Sequence, residues 1–152
     1  MSATNPIPKI RVRELRKSFG PKNVLQGLDL DVAAGESLVI LGGSGSGKSV
    51  LLKHLIGLLQ PDSGSVEVDG IDLAGLSRGE LTEFRRRYGM SFQEGALFDS
   101  MSVGDNVAFP LTRIRPRPAR RSIDDRVEQC LELVGLKGVG DKMPSELSGG
   151  MR

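Results

Sequence analysis

A glycine-rich segment near the first third of the chain carries the residue types that hold a phosphate chain. Residues 42–49 read Gly-Gly-Ser-Gly-Ser-Gly-Lys-Ser and fit the pattern G-x-x-x-x-G-K-[S/T] at every constrained position. Glycines lack Cβ, so successive backbone N–H groups can curl around an anion, and a following helix adds the partial positive charge of its N-terminus. The segment therefore predicts a loop that binds the phosphates of a nucleoside triphosphate.

Individual residues of this loop have different expected roles. The backbone amides from Gly45 to Ser49 should point at the phosphates. Lys48 is placed to reach the β- and γ-phosphates as a point charge, and the Ser49 hydroxyl is placed to bind Mg²⁺. The predicted nucleotide-binding residues of the loop are Gly42, Gly43, Ser44, Gly45, Ser46, Gly47, Lys48, Ser49 and Val50.

The segments on either side should position this loop. The apolar run Ser37–Leu41 predicts a strand that leads into the loop, and the apolar residues of 50–59 predict a helix that continues until Pro61. A strand, a glycine turn and a helix in this order are the context that the motif requires.

Other elements of the first part are predicted from alternation and turn signals. Strands are expected at Ile10–Leu15, Gln26–Val32, Ser65–Asp69 and Tyr88–Phe92. A capping box of Ser77 and Glu80 predicts a helix to about residue 87, whose charged run 85–87 should be exposed.

The part after residue 102 is predicted to be helical. Apolar residues recur at helical spacing and a glycine follows them, at Ile123, Val127, Cys130, Leu131, Val134 and Gly135. The basic, proline-broken stretch 113–121 predicts an exposed linker, with contact to acidic lipid or a partner as the alternative.

Composition limits the class of protein without naming a function. The chain has 152 residues, 38% hydrophobic content and a net charge of +2, which indicates a soluble globular chain and does not favour nucleic acid as a partner. A single cysteine, Cys130, excludes an intrachain disulfide and favours a reducing cytoplasm. The N-terminus lacks the pattern of a signal peptide, and no apolar run approaches the ~20 residues that cross a bilayer.

Two short motifs narrow the choice among nucleotide-binding classes. Residues 147–150 read Leu-Ser-Gly-Gly, and Gln93 stands at the end of the predicted strand Tyr88–Phe92. With the phosphate loop, in this order and approximate spacing, the chain resembles the ATPases of the ATP-binding-cassette (ABC) family. The resemblance implies an α/β P-loop NTPase fold: a phosphate-loop sheet core, an antiparallel β subdomain and a partial helical subdomain.

The resemblance also implies roles for residues outside the phosphate loop. Phe19 stands where the family places an aromatic ring that stacks on adenine. Gln93 would contact Mg²⁺ or the attacking water, and so join Lys48 as a catalytic residue and Ser49 as a metal ligand. Two such domains pair head to tail in the family, so the signature of one would contact the ATP bound by the other, through Ser148, Gly149 and Gly150.

A closer resemblance comes from three longer segments, residues 92–100, 106–111 and 143–151. They look like the ATPase subunits of the Mla/Mce-type phospholipid transporters, the MlaF-like group. That resemblance implies ATP and Mg²⁺ as ligands, a second ATP-binding subunit and an MlaE-like permease as partners, and a cytoplasmic position on the inner face of the membrane.

The family continues beyond the signature with a Walker B strand, a D-loop and a switch histidine, whereas this sequence ends at Arg152. The expectation is therefore an N-terminal portion that binds nucleotide and does not hydrolyse ATP by itself. Its expected divisions are a flexible N-terminus at 1–8, an ATP-binding core at 9–101 and a partial helical subdomain at 102–152.

Three other interpretations stay open. A GTPase is suggested by the D-x-x-G string at residues 72–75, although the chain has no N-K-x-D motif to read guanine. A DNA-repair ATPase would place a long coiled coil before the signature, and no heptad run fills that interval. A regulatory remnant that binds nucleotide without hydrolysing it is the third.

Overall fold

The computed structural model describes residues 8–91, 96–114 and 118–151. The chain divides into two compact units, residues 1–89 and residues 90–152. The predicted domain boundaries at residues 8 and 101 remain predictions.

The first unit contains a four-stranded antiparallel sheet in the order β2-β1-β3-β4. The strands are β1 (Ile10–Phe19), β2 (Lys22–Val32), β3 (Ser63–Val68) and β4 (Ile71–Asp72). Val12 and Leu15 of β1 are fully buried in its hydrophobic core, which also contains Leu51 and Phe84. The predicted antiparallel sheet is confirmed, and its first two strands extend further than the sequence pattern indicates.

A bulge in β1 brings that strand unusually close to β3. The pairing between them shifts after Arg13, and Glu14 takes a left-handed φ of 45° while its backbone N–H donates to Asp29 Oδ1 at 2.7 Å. Gly64 of β3 lies against the bulge with φ of 89°, and a Cβ there would lie 2.4 Å from the carbonyl oxygens of Arg13 and Glu14. Only glycine fits this position, because any side chain would overlap the neighbouring backbone.

Two helices complete the first unit. They are α1 (Lys48–Leu55) and α2 (Arg78–Arg85), and the predicted capping box at the start of α2 is present. The prediction that α1 continues to Pro61 is wrong. Gly57 adopts φ of 65° and its N–H bonds to the His54 carbonyl at 2.9 Å, so the helix ends at Leu55, six residues before the proline.

The charged run 85–87 is only partly exposed, which corrects the sequence-based expectation. Arg85 donates to the carbonyl oxygens of Ile56 at 3.2 Å and Gly57 at 2.5 Å, whereas Arg86 and Arg87 are exposed. These carbonyls follow the C-terminus of α1, where acceptors have no intrahelical partner and a cation is favourable. Arg85 therefore ties α2 to the end of α1.

Two predicted strands do not form in the described residues. Residues 37–41 and 88–91 carry no strand assignment, and Phe92 lies outside the described residues. A strand requires a neighbour to accept its ladder hydrogen bonds, and within the described part of the chain no segment pairs with either stretch. Two side chains of the first stretch are correspondingly open to solvent, Val39 at 76% and Leu41 at 87% exposure, whereas Ile40 packs against the core.

The second unit is helical, as predicted. Its helices are α3 (Val103–Thr112) and α4 (Arg120–Leu133), followed by 3₁₀ turns at Pro144–Glu146 and Gly149–Met151. Its core includes Ile123, Val127 and Leu131 of α4. Gly135 ends the helical region with φ of 74°, Cys130 is half-buried, and Val134 is exposed because it follows the last turn of α4. No helix of the described ranges is both long and apolar enough to cross a bilayer.

Candidate phosphate-binding site

The glycine loop turns directly into α1. Gly45 and Gly47 have φ values of 77° and 95°, a region that side-chain-bearing residues rarely adopt. A Cβ on Gly47 would lie 3.1 Å from Val24 Cγ1 and 3.2 Å from the Val24 carbonyl oxygen. Both the backbone conformation and the close approach of β2 therefore require glycine at this point.

The Lys48 side chain folds back across the loop that precedes it. Its ammonium group donates to the carbonyl oxygens of Gly42 at 2.7 Å and Gly43 at 2.8 Å, and lies 3.3 Å from Ser46 Oγ. These bonds fix both ends of the turn to one cation. The positive charge is thus held against the loop backbone, within reach of an anion that the loop amides would bind.

The first turn of α1 supplies backbone donors. The first intrahelical bond runs from the Leu51 N–H to the Gly47 carbonyl at 2.8 Å. The amides of Lys48, Ser49 and Val50 precede that bond and so have no acceptor within the helix. Together with the helix dipole they form an arrangement suited to phosphate oxygens.

The loop also fits a magnesium ion that arrives with a polyphosphate. Ser49 is exposed at the second residue of α1 and offers one hydroxyl oxygen. Mg²⁺ prefers six oxygen ligands and usually keeps several waters while binding one or two protein groups and substrate phosphates. Gln93, the other predicted metal ligand, lies outside the described residues.

Phe19 is the last residue of β1 and its ring is half exposed. Lys17 places its ammonium 5.7 Å from the ring centroid, and it also pairs with Asp62 at 2.7 Å. A half-exposed ring at the end of a strand can present one face to a flat aromatic ligand. The adenine contact predicted for Phe19 stays a prediction.

The signature residues belong to the second unit. Ser148, Gly149 and Gly150 are all exposed, directly after the buried Leu147. The Met151 N–H bonds to the Ser148 carbonyl at 3.0 Å, which makes a short 3₁₀ turn within the described residues. Their exposure leaves these groups free to contact another molecule.

Sequence reasoning missed the residues of β2 and α1 that support the loop. Val24 packs against Gly47, and the alternation of β2 gave no sign of this role. His54 of α1 is also buried, at 1% exposure, with Nδ1 2.8 Å from the Val50 carbonyl oxygen. No described residue bonds to His54 Nε2. The sequence signal for this contact was the position of His54 four residues after Val50 in a predicted helix.

Comparison with known proteins agrees with this geometry. The profile of a family described as ABC transporter matches residues 25–152. The chain is 50% identical over 143 residues to the probable ribonucleotide transport ATP-binding protein mkl of Mycobacterium leprae, covering 94% of this chain and 41% of that protein. It is 45% identical over 142 residues to the intermembrane phospholipid transport system ATP-binding protein MlaF of Haemophilus influenzae, covering 93% and 53%.

A solved structure shares the fold. It is an ATP-binding cassette in a dimeric post-hydrolysis state bound to ADP and Pi, with a TM-score of 0.81 and 30% identity. The alignment covers 93% of this chain and 64% of that one. The chain therefore spans less than two thirds of each of these proteins.

Proposed function

This chain belongs to the ABC transporter family, and we propose that residues 42–50 bind the triphosphate of ATP, with Mg²⁺, for such a transporter. The observation that carries the proposal is the loop itself. Gly45 and Gly47 hold left-handed conformations, Lys48 donates to two carbonyls of the loop, and the amides of the first turn of α1 have no acceptor within the helix. This combination presents one cation and several N–H donors to one anion.

The proposed roles follow from position. Lys48 would exchange its carbonyl acceptors for β- and γ-phosphate oxygens, and the Ser49 hydroxyl would bind Mg²⁺. Phe19 would stack on the adenine and thereby select the base. Gln93 would position the metal or the attacking water. When bound, Mg²⁺ would neutralise the charge that develops on the phosphates.

We further propose that the exposed signature turn acts on a second copy. Ser148, Gly149 and Gly150 would contact the ATP held by the phosphate loop of the partner, in a head-to-tail dimer. The dimeric state of the related cassette supports this arrangement. A membrane permease would hold the dimer at the inner face of the cytoplasmic membrane. The resemblance of the motifs to the MlaF-like group favours an MlaE-like permease.

Phospholipid is the proposed cargo of the transporter. The segments 92–100, 106–111 and 143–151 carry this proposal together with the likeness to MlaF. Ribonucleotide is the second candidate, because the mkl protein is described as a probable ribonucleotide transporter. Reconstitution of the complete transporter tests the choice: ATP turnover that responds to phospholipid supports the first, and turnover that responds only to ribonucleotide rejects it.

The experiment for nucleotide binding compares Lys48→Ala with Lys53→Ala by titration calorimetry with MgATP. Removing a charge-assisted contact should weaken ATP affinity at least tenfold, or about 1.4 kcal/mol. Lys53 is an exposed lysine on the same helix and is the matched control, with affinity expected to stay within about twofold. Equal ATP affinity in wild type and Lys48→Ala would reject the proposed site.

A further inference from the structure

We propose that Lys22 is a second lysine that contacts the phosphates of the bound nucleotide, an inference that rests on the proposed function. Lys22 is the first residue of β2 and is exposed. A Cβ placed on Gly45 would lie 3.9 Å from the Lys22 ammonium, so this cation already reaches the backbone of the phosphate loop. Lys22 thus reaches the loop from β2, about twenty residues before the motif in the sequence.

The register of the sheet places Lys22 opposite the residue proposed to contact the base. Lys22 pairs directly with Phe19 in the β1–β2 ladder. Directly paired residues of antiparallel strands project their side chains to the same face. The aromatic ring proposed for the base and the ammonium beside Gly45 therefore share one face of the hairpin.

Packing fixes this end of β2 against the loop. Gly47 is buried against β2, since a Cβ there would lie 3.1 Å from both Val24 Cγ1 and Leu25 Cδ2. Leu25 is itself buried in the core of the first unit. The packing of Val24 and Leu25, two and three residues after Lys22, therefore holds this part of β2 beside the loop.

The charge of Lys22 is not compensated within the described residues. No carboxylate there lies within 4.0 Å of its ammonium, whereas Lys17 of the neighbouring strand pairs with Asp62 at 2.7 Å. An uncompensated cation next to a loop of backbone N–H donors attracts a polyanion. The ligand chemistry that fits is a diphosphate group joined to a base, as in a nucleoside di- or triphosphate.

The test compares Lys22→Ala, Lys22→Arg and the control Lys53→Ala, each titrated with ATP, ADP, adenosine and inorganic pyrophosphate. Lys22→Ala should weaken ATP and ADP about fivefold to tenfold, the range of a partly exposed charge contact, and leave adenosine unchanged. Lys22→Arg should restore most of the affinity, because it keeps the charge. A smaller dependence of ATP affinity on salt in Lys22→Ala would identify the contact as ionic.

The outcomes separate this inference from the proposal beneath it. If ATP binds wild type and Lys48→Ala loses that binding while Lys22→Ala equals Lys53→Ala, Lys22 has no phosphate role and only this inference fails. The same holds if Lys22→Ala weakens adenosine as much as ATP. If pyrophosphate alone is weakened and ATP is not, Lys22 serves a free anion and the inference is likewise overturned. If wild type binds no ATP, both fail.

Discussion

Asp62 shows how one side chain organises the region around the proposed base contact. Its carboxylate accepts from Lys17 Nζ and from the Ser18 backbone N–H, both at 2.7 Å. The hydrogen bond from Lys17 comes first among the causes that hold the pKa of Asp62 below its ordinary value of 3.8, and the Ser18 N–H adds to it. Because Lys17 also lies beside the Phe19 ring, the carboxylate fixes the cation that flanks this ring.

The pH dependence of stability tests this linkage. A carboxyl whose folded-state pKa is depressed stabilises the fold above its unfolded-state pKa, and the stabilisation is lost as pH falls through the folded value. The urea concentration at the unfolding midpoint of wild type should therefore decrease as the pH is lowered from 5 to about 2. The decrease should be smaller in Asp62→Asn.

The matched control for this prediction is Asp124→Asn, because Asp124 is exposed and its ion pair is a long one, 3.9 Å from the exposed Arg120. It should retain the pH profile of wild type. Asp31, Asp69 and Glu80 also have lowered pKa values, so part of the dependence of stability on pH should persist in every variant. An Asp62→Asn profile parallel to that of wild type would contradict the assignment.

Among the elements, the bulge of β1 is the place where that strand packs closely against Gly64 of β3. The sequence predicted a strand at residues 10–15 but not the irregularity within it, because Glu14 is not a residue type that signals a left-handed conformation. The irregularity depends on Gly64, fifty residues after Glu14, which packs against the bulge. Such a dependence is a property of tertiary packing, and local patterns carry no trace of it.

Two glycines allow the energetic cost of steric overlap to be measured separately from the cost of a left-handed backbone conformation. Gly64 and Gly70 have φ values of 89° and 73°, but a Cβ on Gly70 would meet nothing within 4 Å. Gly70→Ala should cost about 1 kcal/mol through the left-handed conformation alone. Gly64→Ala should cost about 1–3 kcal/mol more, because it also displaces the β1 backbone. Equal urea midpoints for the two variants would contradict this prediction, because the bulge would then adjust to the added Cβ at no energetic cost.

The elements of the two units show where local sequence patterns succeed and where they fail. The loop, the capping box of α2 and the apolar face of α4 depend on residue types at short spacing, and the sequence predicted each of them. The strand predicted at 37–41 fails because pairing is a property of two segments, and no described segment is its neighbour. The contact of Arg85 with the end of α1 was also missed, since a basic run alone does not reveal its acceptors.

At the scale of the whole molecule, the two motifs proposed to contact ATP belong to different compact units. The phosphate loop lies in residues 1–89 and the signature in residues 90–152, and each unit has its own hydrophobic cluster. The support for each motif is therefore local: β2 and α1 hold the loop, and the buried Leu147 holds the signature turn. A substitution in one motif should leave the fold of the other unit intact.

The dimer proposal can be tested on that basis with Ser148→Arg. Ser148 is exposed, so the variant should fold and should retain wild-type affinity for ATP at its own phosphate loop. It should lose any ATP-dependent shift from monomer to dimer in light scattering, because a bulky side chain would separate the signature from the partner's nucleotide. Ser145→Arg, also exposed and three residues earlier, is the control. The same ATP-dependent dimerisation in both variants would refute contact in trans.

Lys48 donates to the carbonyl oxygens of Gly42 and Gly43 at 2.7 and 2.8 Å, so these carbonyls compete with a ligand for the ammonium group. A ligand that recruits this ammonium must replace two carbonyl acceptors, so the affinity observed is the difference between the old and the new bonds. A ligand that offers a single oxygen replaces only one of them. The exchange therefore favours a ligand that presents at least two acceptor oxygens to the ammonium, as a phosphate group does, over a ligand with a single acceptor.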